Sequence, residues 1–396
     1  MRNDPMLATY YRTVETTATL GGQTLRLIWK PGLPRWDRIS AAAALLADVV
    51  ETSSDCRTLL MGCGHGALAS FLARQAPGGN VCLTGVNWVA LQMSELTLAA
   101  NDVTNARTER GISVLPEEAG AFDAAVVVMP KGRSLVRRWL AEAHAALKPG
   151  GRVYLAGATK EGIKSAIKDA GALFQAVEVL GYRKHNRVAC GTKMPERPAE
   201  AGWLREPGIS PGTWHEFEVD VRGARFRLCG LPGVFSYKKL DQGTSMLLSQ
   251  LDVTRGSRVL DVGCGYGIIG LVAARMGAAH VDMVDANTLA VASARRNIEF
   301  NEVGNARAFT SDALSAVSEE EYDLVLTNPP FHAGKAVDYE VARAFIEHSR
   351  RVLRPGGRLM LVTNTFIRYD RLLKKQFERL ECLAETGRYR VLAGTR

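Results

Sequence analysis

Asn328-Pro329-Pro330-Phe331 closes an apolar run, YDLVLT (322–327), with an amide, two rigid residues and an aromatic ring. Each residue type has a use here. Proline fixes φ and lacks an N–H, so the pair holds a stiff turn with outward carbonyls. The Asn328 amide oxygen and the Pro329 carbonyl can both accept from one planar NH2 group, while Phe331 lies against the ring that carries it. A nitrogen conjugated to such a ring is a poor nucleophile. Two acceptors that draw its hydrogens out of plane restore part of its lone pair. An NH2 group stripped of water and given no acceptor costs about 1–3 kcal/mol, so the same atoms also select the substrate. The chemistry suggested is transfer to a flat amine, driven mostly by in-line placement and needing no strong base.

A second set of residues suits an adenosine ligand. Asp261-Val-Gly263-Cys-Gly265-Tyr-Gly267 follows the apolar run RVL and precedes a helical stretch. Glycines let a backbone turn sharply and approach a ligand closely. The spacing departs from the GxGxxG of dinucleotide enzymes, because position 268 is Ile. The next apolar run ends in Asp285, where a carboxylate can accept from both hydroxyls of a ribose. The run after it leads to Ser311-Asp312-Ala313, where an acid can accept from an adenine amino group. Any one of these acids could be a helix cap. Three of them at three strand ends point to a ligand. They do not separate NAD from S-adenosyl-L-methionine; the Asn-Pro-Pro-Phe corner favours S-adenosyl-L-methionine.

These residues need strands that end at one edge. RVLDV, HVDMVD, YDLVLT and RLMLVT are short apolar runs bounded by Gly, Asp or Pro, and they alternate with stretches of helical period such as LAVASARRNIEFN. Strands this apolar are buried on both faces, which predicts α/β, doubly wound, mostly parallel sheets. Ligands in such sheets bind beyond the carboxyl ends of the strands.

The pattern occurs twice. TLGGQTLRLIWKPGLP (19–34) pairs with 220–235, WDRISAAAALL (36–46) with 240–250, CRTLLMGCGHG (56–66) with 257–267, FDAAVVVMP (122–130) with 322–330, and LKPGGRVYL (147–155) with 353–361. The order is kept throughout, as in a tandem duplication. The glycines persist in the first copy as Gly62, Gly64 and Gly66. The chemical residues do not: Leu60 faces Asp261, Gly85 faces Asp285, Val128 faces Asn328 and Lys131 faces Phe331. The expected division is a degenerate, non-catalytic domain at 1–192, a linker rich in Pro, Gly and charge at 193–211, and a catalytic domain at 212–396.

Of 396 residues, 46% are hydrophobic and 23% charged, ordinary for a globular chain of two domains. The start has no signal-peptide core and no run is long enough to span a membrane, so a cytoplasmic chain is expected. Seven cysteines without metal spacing, and scattered histidines, predict reduced thiols and no metal. The net charge is +9. It concentrates in residues 351–396, with eleven basic against four acidic, so a polyanion is a natural partner. Lys160, Lys164 and Lys168, four apart on one predicted helix face, can track phosphates, as can Lys238, Lys239 and Arg368. A solvated surface would look the same.

The second copy resembles the class I S-adenosylmethionine-dependent methyltransferases that act on amino groups. The whole chain is similar to the RsmC/RlmG-type ribosomal RNA guanine-N2 methyltransferases. The residues that carry the resemblance are LPGVFS (231–236), LDQGTSMLL (240–248), LDVGCGYGIIG (260–270), LTNPPFHAG (326–334), NTFIRY (364–369) and GRYRVLAGTR (387–396), with GATKEGIKSAIK (157–168) in the first copy. The resemblance implies two tandem Rossmann-like domains with seven-stranded sheets, the first degenerate. It implies methyl transfer to the exocyclic N2 of a guanine in ribosomal RNA, in the small subunit rather than the large. It also implies a pocket role for Asp241 and Thr244, with Thr244 at the cofactor. The built-in tandem leads us to expect a monomer. A guanine N2 in large-subunit ribosomal RNA, adenine N6 or a glutamine amide remains an alternative acceptor, and a non-enzymatic RNA-binding assembly factor an alternative role.

Overall fold

The computed structural model describes residues 10–33, 38–62, 64–111, 118–195, 201–319, 321–330 and 336–396, except for the side chains of 336–338. The chain forms two compact units. One runs from Thr13 to Trp214, and the other joins 215–396 to residues 10–12 at the amino end.

The 13–214 unit opens with a hairpin, β1 (Val14–Leu20) and β2 (Gln23–Trp29). Then follow α1 (Ala41–Val49), β3 (Arg57–Met61), α2 (Ala67–Gln75), β4 (Asn80–Thr84), α3 (Trp88–Ala100), β5 (Ala106–Glu109) and β6 (Phe122–Val128). It ends with α4 (Arg133–Ala146), β7 (Leu147–Ala158), α5 (Ile163–Ala170), β8 (Gln175–Arg183) and β9 (Asn186–Thr192). Its seven-stranded sheet has the order β5-β4-β3-β6-β7-β9-β8.

The second unit repeats the plan. The hairpin is β10 (His215–Val221) with β11 (Ala224–Gly230). After it come α6 (Gln242–Gln250), β12 (Arg258–Val262), α7 (Ile268–Arg275), β13 (His280–Asp285), α8 (Thr288–Phe300), β14 (Ala306–Thr310) and β15 (Tyr322–Thr327). The last elements are α9 (Ala336–Val352), β16 (Leu353–Asn364), α10 (Tyr369–Gln376), β17 (Arg379–Glu385) and β18 (Tyr389–Thr395). The sheet order is β14-β13-β12-β15-β16-β18-β17. β18 runs antiparallel to both its neighbours, and the other pairings are parallel. Both units are thus the doubly wound α/β class expected.

Strand order reverses between β12 and β15, which opens a crevice at their carboxyl ends. The runs are apolar because both faces are covered: Val259, Leu260, Val325 and Leu326 are all fully buried. One buried charge crosses this sheet. Asp282 on β13 accepts from Arg307 of β14 at 2.5 Å and from the Tyr322 hydroxyl of β15 at 2.6 Å. Burial alone would raise its pKa, but these partners hold it below the ordinary carboxylate value. In the first unit Cys82 takes this place on β4, and Arg107 pairs with Glu118 instead.

What the copies share is scaffold. Asn101 closes α3 onto the hairpin by accepting from the Arg26 N–H at 3.0 Å and donating to the Arg26 carbonyl at 2.6 Å. Asn301 does the same at the end of α8 with Arg227, at 3.2 and 2.7 Å. Asp123 and Asp323 each accept from the backbone N–H that starts the neighbouring strand, at Arg57 and Arg258.

Two expectations change. The N-caps place Ser40 opposite Asp241, since Ser40 accepts from Ala43 N–H and Asp241 from Thr244 N–H. The pairing of 36–46 with 240–250 is therefore out of register by three positions. The cap, a short polar side chain before the helix, marks the register better than the apolar pattern does. Part of the segment expected as a linker is also fastened down. Arg137 pairs with Glu206 at 2.7 Å and lies over Trp203, and Arg138 donates to the Gly208 carbonyl at 2.8 Å. Among the described residues, no helix is long and apolar enough to cross a membrane.

Candidate active site

The glycine loop leaves β12 at the crevice. Gly263, Gly265 and Gly267 all have positive φ, and Gly267 caps α7. A Cβ at Gly265 would meet nothing within 4 Å, so its backbone faces open space. Glycine is needed there for the left-handed turn, and the gap lets a ligand reach the main chain. The Gly265 N–H donates at 3.0 Å to Asp285 Oδ2, and the Asn287 N–H donates at 2.8 Å to Asp285 Oδ1. Asp285, at the end of β13, is thereby aimed along the loop. Burial raises its pKa.

Asp261 lies deeper and is fully buried. Its Oδ2 accepts from the Gly270 N–H at 3.0 Å, while its Oδ1 is buried and accepts from no described residue. Burial, and then the neighbouring Asp285 charge, push its pKa up to about 7. An acid kept out of water beside a second acid is poised to ionise when a cation arrives.

Asn328 stands directly after β15, across the switch point from Asp261. Its Nδ2 donates at 2.8 Å to Thr244 Oγ1 and lies 3.4 Å from Asp241 Oδ2. Both partners belong to the start of α6. With the NH2 end so engaged, Oδ1 is the end left over, and it is buried and accepts from no described residue. A buried acceptor left so costs about 1–3 kcal/mol until something donates to it. Pro329 is buried and Pro330 half-buried behind it. Phe331, with His332 after it, lies outside the described residues. Thr244, expected at the cofactor, accepts from the Asn328 amide and so orients it. Its helical position, one turn from the Asp241 cap, explains this.

Asp312 follows β14 and is almost fully buried. The Ser311 N–H donates to the Asp285 carbonyl at 3.0 Å, tying this turn to the one before it. The Tyr10 hydroxyl donates to Asp312 Oδ1 at 3.0 Å. Sequence reading missed Tyr10, because no local pattern joins positions 302 apart.

The LPGVFS loop runs beside these turns. Its Gly233 carbonyl accepts from Asn287 Nδ2 at 2.9 Å, and the Lys239 carbonyl accepts from the Tyr266 hydroxyl at 3.4 Å. Lys238 and Lys239 are exposed at its end, so two cations stand next to the glycine loop. Phe235 in this loop and Phe366 after β16 are 59% and 64% exposed, rings that sequence reading passed over. Arg368 is exposed at the start of α10.

In the first unit, Lys164 and Lys168 are exposed on α5. Lys160 is not on that helix. It lies in a separate 3-10 turn, Thr159–Glu161, because Gly162 adopts a left-handed φ of 90° and breaks the run. Gly62, Gly64 and Gly66 keep the positive φ of their counterparts. The turn survives there without an acid at Leu60 or Gly85. Among the described residues no group of His, Cys, Asp and Glu is placed to hold a metal.

The arrangement in the second unit has four features: a glycine turn open to a ligand, a carboxylate aimed along it, a buried acid beside them, and at the switch point an amide oxygen that accepts from no described residue. These fit an adenosyl cofactor with a cationic end and an amine acceptor.

Comparison with known proteins gives the same direction. The family model described as methyltransferase small domain matches residues 24–189 and again 225–393. A ribosomal RNA small subunit methyltransferase C from Chromohalobacter salexigens is 38% identical over 281 residues, 70% of this chain and 79% of that protein. One from Pseudoalteromonas atlantica is 33% identical over 75% of this chain and 84% of its own. A solved structure of the T. thermophilus 16S rRNA N2 G1207 methyltransferase, in complex with AdoMet and guanosine, is 32% identical. It covers 98% of this chain and 99% of its own, with a TM-score of 0.80.

Proposed function

The chain belongs to the ribosomal RNA small subunit methyltransferase C family, and from that membership we propose that it transfers a methyl group from S-adenosyl-L-methionine to the exocyclic N2 of a guanine in 16S ribosomal RNA. The target is the guanine equivalent to the one named for the T. thermophilus relative. One observation carries the reading of the site: the buried Oδ1 of Asn328, which accepts from no described residue and is fixed from behind by Thr244 and Asp241.

S-Adenosyl-L-methionine supplies a methyl carbon made electrophilic by its sulfonium. The protein's part is to hold and to select. Asp285 accepts from ribose hydroxyls, the Gly263–Gly267 turn lets the backbone approach, and Asp312 accepts from the adenine amine. Asp261 offers a carboxylate to the cationic end. Asn328 Oδ1 accepts one hydrogen of the guanine NH2, with the Pro329 carbonyl as the second acceptor and Phe331 as the platform for the base. Amide placement keeps the nitrogen in line with the methyl carbon, which is the main source of rate in such a transfer. A guanine inside a duplex cannot reach such a site, so the base must be turned out of its stack. Lys164, Lys168, Lys160, Lys238, Lys239 and Arg368 are available to the RNA phosphates. The first unit keeps the fold without the acids, so it binds no cofactor. We place the protein in the cytoplasm, as a monomer, with division into domains at 1–192, 193–211 and 212–396.

The test is methylation of 30S particles and of naked 16S rRNA from cells lacking the protein, mapped by mass spectrometry. N2-methylguanine at the equivalent position is expected. Methyl appearing on adenine N6, or on a protein, would replace this reading with another acceptor.

A further inference from the structure

The β8–β9 hairpin of the first unit turns through two residues, Lys184 and His185, between the paired Arg183 and Asn186. Both adopt left-handed backbone, with φ of 46° and 64°. A two-residue turn of this kind favours Asn-Gly, so two long side chains are held there at a cost in stability. The tip is nevertheless fixed. The His185 carbonyl accepts from the Thr159 N–H at 2.8 Å and from the Thr159 hydroxyl at 3.0 Å. Arg187 donates to the same hydroxyl at 2.6 Å. Lys160 follows Thr159 directly, so this clasp brings Lys160 and Lys184 to one edge of the unit. Both lysines are exposed, and neither forms an ion pair among the described residues. The acids nearby are occupied: Asp48 pairs with Arg183 at 2.8 Å, and Glu161 accepts from the Ala158 N–H at 3.1 Å. Tyr182, two residues before the tip, is 57% exposed. The Arg187 guanidinium lies over its ring, 4.7 Å from the centre.

The second unit builds the same clasp without this surface. The Thr365 N–H donates to the Arg388 carbonyl at 3.0 Å, as Thr159 does to His185. Glu385 stands where Tyr182 does, and Gly387 where Lys184 does. Arg390, which matches Arg187, is half-buried and pairs with Asp370 at 3.5 Å. Folding therefore does not call for a ring at 182 or a lysine in the turn. An exposed ring backed by a guanidinium, with lysines beside it, suits an unstacked base and its phosphates. We propose that this hairpin is a second RNA contact: a single-stranded nucleotide of the substrate stacks on Tyr182 while Lys160 and Lys184 meet the flanking phosphates. The proposal rests on the reading of RNA as the substrate made above. It gives the degenerate unit a sequence-tolerant grip on nucleotides other than the methylated guanine.

The experiment uses the full chain, naked 16S rRNA, 30S particles and S-adenosylhomocysteine. RNA dissociation constants are measured over a series of salt concentrations, with the melting temperature of each variant alongside. Lys184→Asn together with His185→Gly gives the turn its favoured residues. This pair is expected to raise the melting temperature and yet weaken RNA binding about fivefold at 0.1 M salt, with a salt slope shallower by about 0.7, the share of one single-strand phosphate contact. Tyr182→Leu is expected to weaken RNA binding about tenfold with the slope unchanged, and Tyr182→Trp to restore it, because stacking asks only for a flat ring. Affinity for S-adenosylhomocysteine should be the same in all of them. A stabilised turn variant that binds RNA as tightly as the wild type would make the tip a turn and nothing more. A loss at Tyr182→Leu that comes with a lowered melting temperature and is not restored by Tyr182→Trp would make the ring mere packing. Either result defeats the proposal and leaves RNA as the substrate. If the wild type binds neither naked 16S rRNA nor 30S particles, the reading of the substrate falls, and the proposal with it.

Discussion

At the scale of single residues, the site is governed by acceptors rather than bases. Asn328→Ala removes an acceptor without disturbing the glycine turn or Asp285. It should lower single-turnover methylation by a hundredfold or more while S-adenosylhomocysteine affinity changes less than about threefold. Parallel losses in both would deny Asn328 its place at the acceptor. Asp261 gives a pH signature. Its folded pKa, raised to about 7, exceeds the ordinary carboxylate value. The folded protein therefore retains a proton that the unfolded chain has lost between about pH 4 and 7. The stabilisation this provides is complete below about pH 4 and fades as pH rises through 7. A cationic ligand works the other way and favours the ionised form. Affinity for S-adenosyl-L-methionine should thus rise about tenfold from pH 6 to 8, and Asp261→Asn should flatten the rise. A pH-independent affinity in the wild type would remove Asp261 from the cationic end. The places of Asn328, Asp261, Asp285 and Asp312 at strand ends were legible in the sequence, because each stands at or just after the end of an apolar run that reads as a buried strand. The hydrogen bond from Asn328 to Thr244 was not legible, since it joins positions 84 apart. Tyr10 was not legible at all.

At the scale of elements, the hairpins matter more than their size suggests. β1–β2 and β10–β11 are two-stranded, a form marginal by itself in water. Each is clasped to a helix end by a buried asparagine, Asn101 or Asn301, and the second is held by Asn297 as well. Asn301→Ala leaves the Arg227 N–H and carbonyl unmet and should destabilise its unit by about 2 kcal/mol, with Asn101→Ala costing the first unit a similar amount. Denaturant midpoints would show this, and an unchanged midpoint in either variant would mean that water replaces the clasp. The strand and helix order was readable from period and punctuation. The misregistered 36–46 pairing shows where that reading weakens. An alanine-rich helix offers no distinctive apolar phase, and only Ser40 fixes it. The Lys160–Lys164–Lys168 stripe failed for a similar reason: one left-handed glycine, Gly162, splits what spacing alone reads as continuous.

At the scale of the whole molecule, two copies of one scaffold have separated in chemistry. The paired asparagines and strand-start aspartates persist in both, whereas Asp261 and Asp285 have no acidic counterpart at Leu60 and Gly85. Ligand binding should therefore saturate at one S-adenosylhomocysteine per chain, and Asp285→Ala should abolish it. A second binding event surviving that substitution would restore a working site to the first unit. The duplication was legible because turns and strand starts tolerate few residue types. The fastening of 202–208 by Arg137 and Arg138 was not, since Pro, Gly and charge mark a tethered segment as readily as a loose one.

The Tyr10–Asp312 contact also sets an order in time. Synthesis proceeds from the amino end, so the phenol emerges early and must wait 302 residues for its carboxylate. The first unit can complete itself during that interval, while the catalytic pocket cannot. Prematurely terminated chains would then carry a folded first unit without the second, and separate genes for the two halves would leave Asp312 without its phenol.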